Sequence, residues 1–228
     1  MMKKSILSIL IILGLAVSTT YATDFNVSIG FGGDIGLIFT SFDTNIPEPY
    51  KSTAEEVLKN IDQNRVGFWF YLDITYFEID LGGKFYNATI KQNGFDLKET
   101  QNYFNIGLMG KYPFSINKIM FFPFIGFDWQ ILTKVKGTQG GYSVETERSD
   151  LSSAGIDENY FDCLVFNFGF GADFAITNHL YIRSILVYGI NAHTKYHEDQ
   201  IDIIKDAGYN ISILNHGPSI KLALGYKF

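Results

Sequence analysis

Residues 219–228, SIKLALGYKF, alternate in polarity with a period of two residues. One set of alternate positions is apolar, and the other is small or charged. The apolar set is Ile220, Leu222, Leu224, Tyr226 and Phe228, and the other set is Ser219, Lys221, Ala223, Gly225 and Lys227. Successive side chains of a β-strand point to opposite faces. The stretch therefore predicts a two-faced strand, and its apolar face must be covered by something other than water.

Seven further segments carry the same alternation. They are residues 25–39, 66–76, 77–85, 103–114, 119–133, 164–174 and 180–193. The segment 119–133 is apolar on both faces at its start. The apolar face of the eight strands contains no Asp, Glu, Lys or Arg, whereas six acidic and six basic residues fall on the other face. These twelve are Asp34, Asp73, Glu78, Asp80, Asp128, Asp173, Arg65, Lys84, Lys111, Arg183, Lys221 and Lys227.

The direction of the apolar face decides between two kinds of barrel. A soluble up-and-down barrel has the same period with its apolar face inside. Here the polar face is mainly Gly, Asn, Ser, Thr and Tyr with few charges, unlike the Lys- and Glu-rich exterior of a soluble protein. The apolar face is rich in Phe, many strands end on it in Tyr or Phe, and the strands are long enough to cross a bilayer when tilted. We therefore expect the apolar face to contact lipid.

The links between the eight segments alternate between short and long. The long links span residues 41–64, 91–100, 134–160 and 194–212, an alternation that is typical of outer-membrane barrels. We predict an all-β fold, a transmembrane antiparallel up-and-down β-barrel of eight strands, with short periplasmic turns and four longer extracellular loops. Because Pro123 lacks a backbone donor, we expect it near the periplasmic rim or at a bulge.

The first 22 residues have the pattern of a secretory signal peptide. A basic start precedes a twelve-residue apolar run, and Thr20 and Ala22 are the small residues of a cleavage site. A spanning helix is the alternative, but the run is shorter than the roughly 20 residues that such a helix needs. We expect cleavage after Ala22, so that residues 1–22 are the signal peptide and 23–228 form one outer-membrane barrel domain.

Charge and cysteine content limit the partners. The net charge is −6, and removal of Lys3 and Lys4 would make it −8, which argues against nucleic acid as a partner.

The lone Cys163 cannot form an internal disulfide. The spacing of His193 and His197 aligns metal ligands only on a helix, and these residues fall at the end of a strand and in a loop. We expect no catalytic residue, no metal and no cofactor.

The lumenal charges are the first candidate site. They either neutralise one another in a packed interior or line a water-filled path; an eight-stranded barrel is just wide enough for its own side chains, and the equal charge counts favour the packed interior. The predicted network consists of Asp34, Arg65, Asp73, Asp80, Lys84, Lys111, Asp128, Asp173, Arg183 and Lys221.

The long links are the second candidate site. Their acidic residues outnumber the basic ones by seven. Residues 52–61 have a capping-box spacing followed by apolar residues on one side, which predicts a short helix, and residues 199–208 are a second candidate helix. Residues 134–160 are expected to be flexible and polar. Loops on a rigid scaffold commonly bind partners, but these loops could equally form a solvated, repulsive cap.

The signal peptide, the eight strands and the final LALGYKF together resemble the small eight-stranded outer-membrane proteins, the OmpX/Ail, OmpA-barrel, OmpW and opacity-protein group. This resemblance implies location in the outer membrane, insertion by the outer-membrane assembly machinery, and Tyr226 and Phe228 as the insertion signal. It implies a non-enzymatic protein that presents loops for adhesion to host or extracellular ligands or that maintains the envelope. The alternative is a narrow channel or transporter for small or hydrophobic solutes, as in OmpW.

Overall fold

The computed structural model describes residues 26–47, 51–52, 61–92, 95–153, 155–194 and 211–228. The predicted signal peptide with Ala22, the candidate helix at 199–208, His197 and most of the candidate helix at 52–61 lie outside these ranges. The elements are β1 Val27–Leu37, β2 Phe39–Thr44, β3 Ile61–Ile74, β4 Phe77–Gln92, β5 Phe95–Lys111, β6 Phe114–Ile116, β7 Ile119–Gln139, β8 Tyr142–Glu147, α1 Arg148–Ser153, β9 Cys163–Ala175, β10 Leu180–Thr194 and β11 Ile211–Lys227.

The strands close into a ring. The antiparallel order is β1-β3-β4-β5-β7-β9-β10-β11, and β11 pairs back onto β1 from Ser28↔Lys227 to Gly36↔Ser219. β2 continues β1 along the same edge of β11. Eight strands thus form a closed up-and-down barrel, which confirms the predicted fold class. In the described ranges no helix is both long and apolar enough to span a membrane.

The apolar face points outward, as the sequence predicts. Leu222 is 56% exposed and its neighbour Lys221 is buried, and the membrane-spanning parts of the other seven strands of the ring alternate in the same way. On β4 the outward apolar positions run over residues 77–85, which matches the roughly 9–11 residues that a tilted strand needs to cross hydrocarbon. A Phe-rich exterior around a charged interior requires lipid on the outside, so the barrel spans a membrane.

Two prolines lie where the strands are interrupted. Pro123 is next to the break between β5 and β6, and its carbonyl accepts the N–H of Tyr112 at 3.1 Å. The predicted position of Pro123 at the rim is therefore confirmed, because this break lies at the short-turn end of the barrel. Pro218 lies opposite Leu37, directly before the break at Ile38 that separates β1 from β2. Both prolines thus lie where the ladder is already discontinuous.

The predicted bounds of two of the four long loops are wrong. β4 and β5 pair as far as Gln92↔Phe95, so residues 93–94 are the whole link where 91–100 was predicted. The predicted flexible segment 134–160 instead continues β7, turns at Gly140 and Gly141, and returns as β8 before α1. Both glycines have positive φ, as a two-residue hairpin turn requires. The strands stay paired beyond the apolar band because the backbone N–H and C=O groups of each strand form hydrogen bonds with the neighbouring strand.

These extended strands form a sheet above the membrane. We call it the protruding sheet; it comprises residues 61–65, 86–92, 95–103, 132–139 and 142–147. Its outward face is polar from its first row, where Asn87 donates to Asn64 at 3.2 Å and accepts from Thr100 at 3.2 Å. The change from Phe to Asn and Thr on this face marks the edge of the hydrocarbon.

Candidate functional site

Arg183 on β10 is the centre of the lumen near the short turns. Its side chain is 0% exposed, and it donates from Nε and Nη2 to both oxygens of Asp173 at 2.7 Å. Nη2 also donates to Asp73 at 2.6 Å, and Nη1 donates to Glu78. Lys111 pairs with Asp73 and lies 3.6 Å from Glu78. We call these five residues the lower cluster; three carboxylates and two cations meet in it.

The lower cluster closes the lumen from wall to wall. In the ring, β10, which carries Arg183, and β4, which carries Glu78, are four strands apart, so the two residues come from opposite walls. Rings fill the remaining space: the guanidinium carbon of Arg183 lies 4.6 Å from the ring centre of Tyr71, 5.0 Å from that of Phe122 and 5.4 Å from that of Tyr181. Such cation–π contacts are strongest where water is excluded.

A second group, the upper cluster, lies nearer the protruding sheet. Lys221 pairs with Asp80 at 3.0 Å, Lys84 pairs with Asp128, and Arg65 lies 3.8 Å from Asp34. The ammonium of Lys221 lies 4.6 Å from the ring centre of Trp69. With every group ionised, three acids and three bases would make this group neutral, and three acids and two bases would give the lower cluster one surplus negative charge. Above it, Tyr86 donates to Gln130 at 2.7 Å, and Cys163 is buried against Gln130.

The structure brings all ten predicted network residues into these two clusters. Of the twelve lumenal charges, eleven are buried and Lys227 is half-buried at the barrel end. The ten-residue prediction omitted Glu78, which lies at the centre of the lower cluster. Glu78 could have been included from the sequence, because it lies on the polar face of its strand directly after a turn and two residues before Asp80. The packing roles of Phe122 and Tyr71 were also missed; the apolar start of the segment 119–133 on both faces was the signal for Phe122.

A small void adjoins the upper cluster. A void of about 10 Å³ is bordered by Asp80, Asp128, Asn167 and Lys221 among others. This volume accommodates roughly one water molecule. Within the described residues, one oxygen each of Asp73, Glu78 and Asp80 has no hydrogen-bond partner. The interior is therefore a packed ionic core and not a wide pore.

An arginine fastens the segment that follows the hairpin. Arg148 at the start of α1 donates to both oxygens of Asp162 at 2.6 and 3.1 Å, to Asn159 at 2.7 Å and to the carbonyl of Leu132 at 3.1 Å. Asp162 also accepts the backbone N–H of Leu132 at 3.0 Å. A fork-to-fork pair of this kind fixes orientation as well as distance. It ties residues 148–162 to β7 at Leu132, at the base of the protruding sheet.

Replacing Arg148 should loosen that segment without unfolding the barrel. In Arg148→Ala, Asp162 loses its charge partner and the carbonyl of Leu132 loses a donor. We expect faster amide exchange and faster proteolysis over residues 148–162, with a loss in global stability of about 1–3 kcal/mol at most. Hydrogen exchange measured by mass spectrometry checks this. Unchanged exchange over 148–162 would contradict the fastening role.

The last strand is held by contacts at its end. Tyr226 stacks on His179 with ring centres 5.6 Å apart and meets Phe228 edge-on at 5.3 Å. His179 Nδ1 lies 3.0 Å from the carbonyl of Lys227, and the N–H of Phe228 donates to the carbonyl of Val27 at 3.0 Å. Both aromatic side chains of the predicted insertion signal face the outside of the barrel at the short-turn end.

No protein-family model matches this chain, and no curated protein matches it. Solved structures do. The chain is similar to Neisserial surface protein A (NspA), with 10% identity, a TM-score of 0.46, and 88% of this chain and 97% of the other covered. It is similar to Ail, the attachment invasion locus protein of Yersinia pestis, in complex with the heparin analogue sucrose octasulfate, with 11% identity, a TM-score of 0.38, and 90% and 100% covered.

A third similar structure is the N-terminal β-barrel domain of Pseudomonas aeruginosa OprF, with 8% identity, a TM-score of 0.39, and 90% and 100% of the two chains covered. The predicted resemblance to the small outer-membrane barrels is confirmed at the level of the fold by the closed ring of eight antiparallel strands in this chain. The closed eight-stranded architecture itself follows from the strand pairing of this chain.

Proposed function

We propose that this chain is a non-enzymatic outer-membrane barrel that works through its extracellular surface, in adhesion to host or extracellular ligands or in maintaining the envelope. The lower cluster is the observation that carries this proposal. Because Arg183 reaches from one wall of the lumen to the other, the barrel offers no wide route for solutes. The part left to make contacts is the protruding sheet together with the segments around it, on the side opposite the short turns.

A narrow channel for small or hydrophobic solutes is the competing function. Conductance in planar bilayers separates the two. We expect the refolded wild-type barrel to show no steady channels. The Lys221→Met variant removes one ion pair of the upper cluster and leaves the lower cluster intact, so we expect it to show no steady channels either. Steady wild-type channels that change when Arg183 or Asp128 is substituted would overturn the sealed-lumen proposal.

Shortening the β7–β8 hairpin tests the surface role. Deletion of residues 136–139 and 142–145 joins Val135 to Thr146 through the existing Gly140–Gly141 turn. It removes four β7–β8 pairs and four β5–β7 pairs while keeping the hairpin closure. We expect cells that display this variant to lose adherence to host cells or to surface-coated extracellular ligands, although the barrel keeps its heat-modifiable migration in gels. Undiminished adherence would count against a contact role for this part of the sheet.

Export and assembly complete the proposal. We propose that residues 1–22 are removed after Ala22 and that Tyr226 and Phe228 present the last strand to the outer-membrane assembly machinery. The outward, adjacent rings of these two residues support this role. We expect Phe228→Ala to lower the amount of folded barrel in outer-membrane fractions several-fold while barely changing refolding in detergent. Equal losses in both assays would indicate a stability defect and not a recognition signal.

A further inference from the structure

A groove of about 580 Å³ lies on the outside of the barrel, across the seam where the last strand pairs with the first. Two rows of outward apolar side chains form its walls, and each row crosses β11, β1 and β3. One row is Tyr226, Ile29 and Leu72, and the other is Leu224, Phe31 and Phe70. The rows are two residues apart along each strand, about 7 Å, which leaves room for one extended hydrocarbon chain.

The seam itself has few side chains to hold it together. Gly30 pairs with Gly225 between the two rows, and further along the seam Gly32 pairs with Ala223. Side-chain contacts between neighbouring strands are a main source of sheet stability, and glycine supplies none. Closure of the ring therefore depends on what packs against the two sides of the seam.

Two tyrosines cover the lumenal side of the seam. A Cβ atom on Gly30 would overlap the ring of Tyr71, and one on Gly225 would overlap the ring of Tyr181. The two rings come from β3 and β10, the strands that flank the seam, and their hydroxyls form a hydrogen bond of 3.0 Å. The inner side is thus tightly packed, whereas the groove leaves the outer side open in the part of the chain that the structure describes.

The groove lies in the part of the apolar band that is next to the short turns. Leu180, which also lines it, is the first residue of β10, and Tyr226 is the last residue but one of β11. The barrel spans a membrane with its apolar face outward, so acyl chains are the molecules that surround this groove. In the proposed orientation they belong to the periplasmic leaflet, which consists of phospholipid.

A second copy of the chain fits this groove poorly. In a two-fold symmetric pair the same surface of each copy faces the other, so groove would lie against groove. Two concave surfaces leave a void between them, and the side chains that line a void lose packing contacts. A flexible acyl chain can follow the groove and fill it.

We propose that the groove holds one acyl chain of a phospholipid from the periplasmic leaflet and that this chain stabilises the closed seam. The chain contacts Ile29 and Phe31 on the first strand and Leu224 and Tyr226 on the last, so the site is complete only when the ring is closed. A ligand that binds only the folded state stabilises that state. Lipid tails are already out of water, so packing contacts and not the hydrophobic effect hold the chain. This inference goes beyond the surface function and is independent of adhesion.

Native mass spectrometry tests the binding. The mature chain is refolded in vesicles of phosphatidylethanolamine and phosphatidylglycerol and extracted in mild detergent. We expect a dominant species of one barrel with one phospholipid that persists through detergent washing. A broad range of lipid numbers without a preferred one, or barrels without lipid, would overturn the proposal. Lipid-free barrel pairs would assign the groove to a second copy instead.

Three matched variants locate the site. Ile29→Trp fills the groove from β1, Leu224→Trp fills it from β11, and we expect each to lower the retained phospholipid at least tenfold. Ile125 is 70% exposed on the outward face of β7, four strands from β1 in the ring, so Ile125→Trp is the control. It should retain lipid as the wild type does. Equal retention in all three variants, or equal loss, would show that the lipid binds elsewhere on the apolar face.

Unfolding rates test the stabilising role. In detergent, added phosphatidylethanolamine should slow the unfolding of the wild type and of Ile125→Trp in urea about tenfold, and it should leave the rate of Ile29→Trp unchanged. Lipid that the wild type retains without any slowing would refute the role at the seam.

The source of the lipid is tested in cells. Barrels extracted from outer membranes should carry phospholipid. Retention of lipid A in its place would put the groove in the other leaflet and overturn the assignment.

Discussion

Arg183→Met should be among the most destabilising single substitutions in this barrel. The change leaves Asp73, Glu78 and Asp173 in a closed lumen with Lys111 as their nearby cation. Breaking a buried ionic group by removing one partner typically costs about 3–5 kcal/mol, because the remaining charges stay desolvated. We expect a loss of this size, measured by urea titration of the folded fraction in detergent or lipid vesicles.

A matched rescue shows whether charge imbalance is the cause. Adding Glu78→Gln and Asp173→Asn to Arg183→Met leaves Lys111 facing Asp73 alone, so that the group is neutral and smaller. This triple variant should recover much of the lost stability even if Arg183→Met does not fold by itself. No recovery would show that packing of Arg183 on Tyr71 and Phe122 matters more than its charge.

An exposed ion pair provides the control. Lys91 and Asp62 lie 3.3 Å apart on the outer face of the protruding sheet, where both side chains are largely in water. Lys91→Met should change stability by no more than about 1 kcal/mol. A loss comparable to that of Arg183→Met would mean that the assay reports something other than the buried clusters.

The membrane-spanning part of the fold was predictable because lipid contact leaves a mark on every second residue. Phe68, Phe70 and Leu72 had to alternate with Trp69 and Tyr71 once one side met hydrocarbon and the other a packed lumen. The protruding sheet leaves no such mark. Both of its faces meet water or polar groups, so Thr100 was assigned to a loop and Asn87 to no strand, although both belong to paired strands.

The membership of the lumenal network was predictable, and its pairing was not. Polar-face position alone placed Arg183 and Asp173 inside. Which charges meet depends on the stagger between strands: Arg183 reaches Glu78, 105 residues away, because of how the eight strands are offset around the ring. A single sequence carries no direct signal of that offset. The two-residue turn at Gly140–Gly141 did carry a hairpin signal, but the polar flanking residues concealed it.

Leu222→Arg tests whether the apolar face of the barrel meets lipid. Leu222 lies near the middle of the outward band of β11, between Tyr226 and His216. An arginine on the lipid face of a barrel costs about 2–4 kcal/mol at the midplane and only about 0–1 kcal/mol near the interface. Leu214 lies on the same face of the same strand, opposite Ser41 and beyond the outer end of the band, so Leu214→Arg is the matched control.

In phospholipid vesicles, Leu222→Arg should lower the free energy of unfolding by about 2–4 kcal/mol and Leu214→Arg by about 1 kcal/mol or less. The two changes introduce the same charge into one strand, so their difference reports depth in the bilayer and not helix or strand propensity. Were the Phe-rich face buried inside a soluble barrel, Leu222→Arg would abolish folding in plain buffer. The wild-type chain would then remain monomeric there without detergent. Equal losses for the two variants in vesicles would likewise show that this face is not covered by hydrocarbon.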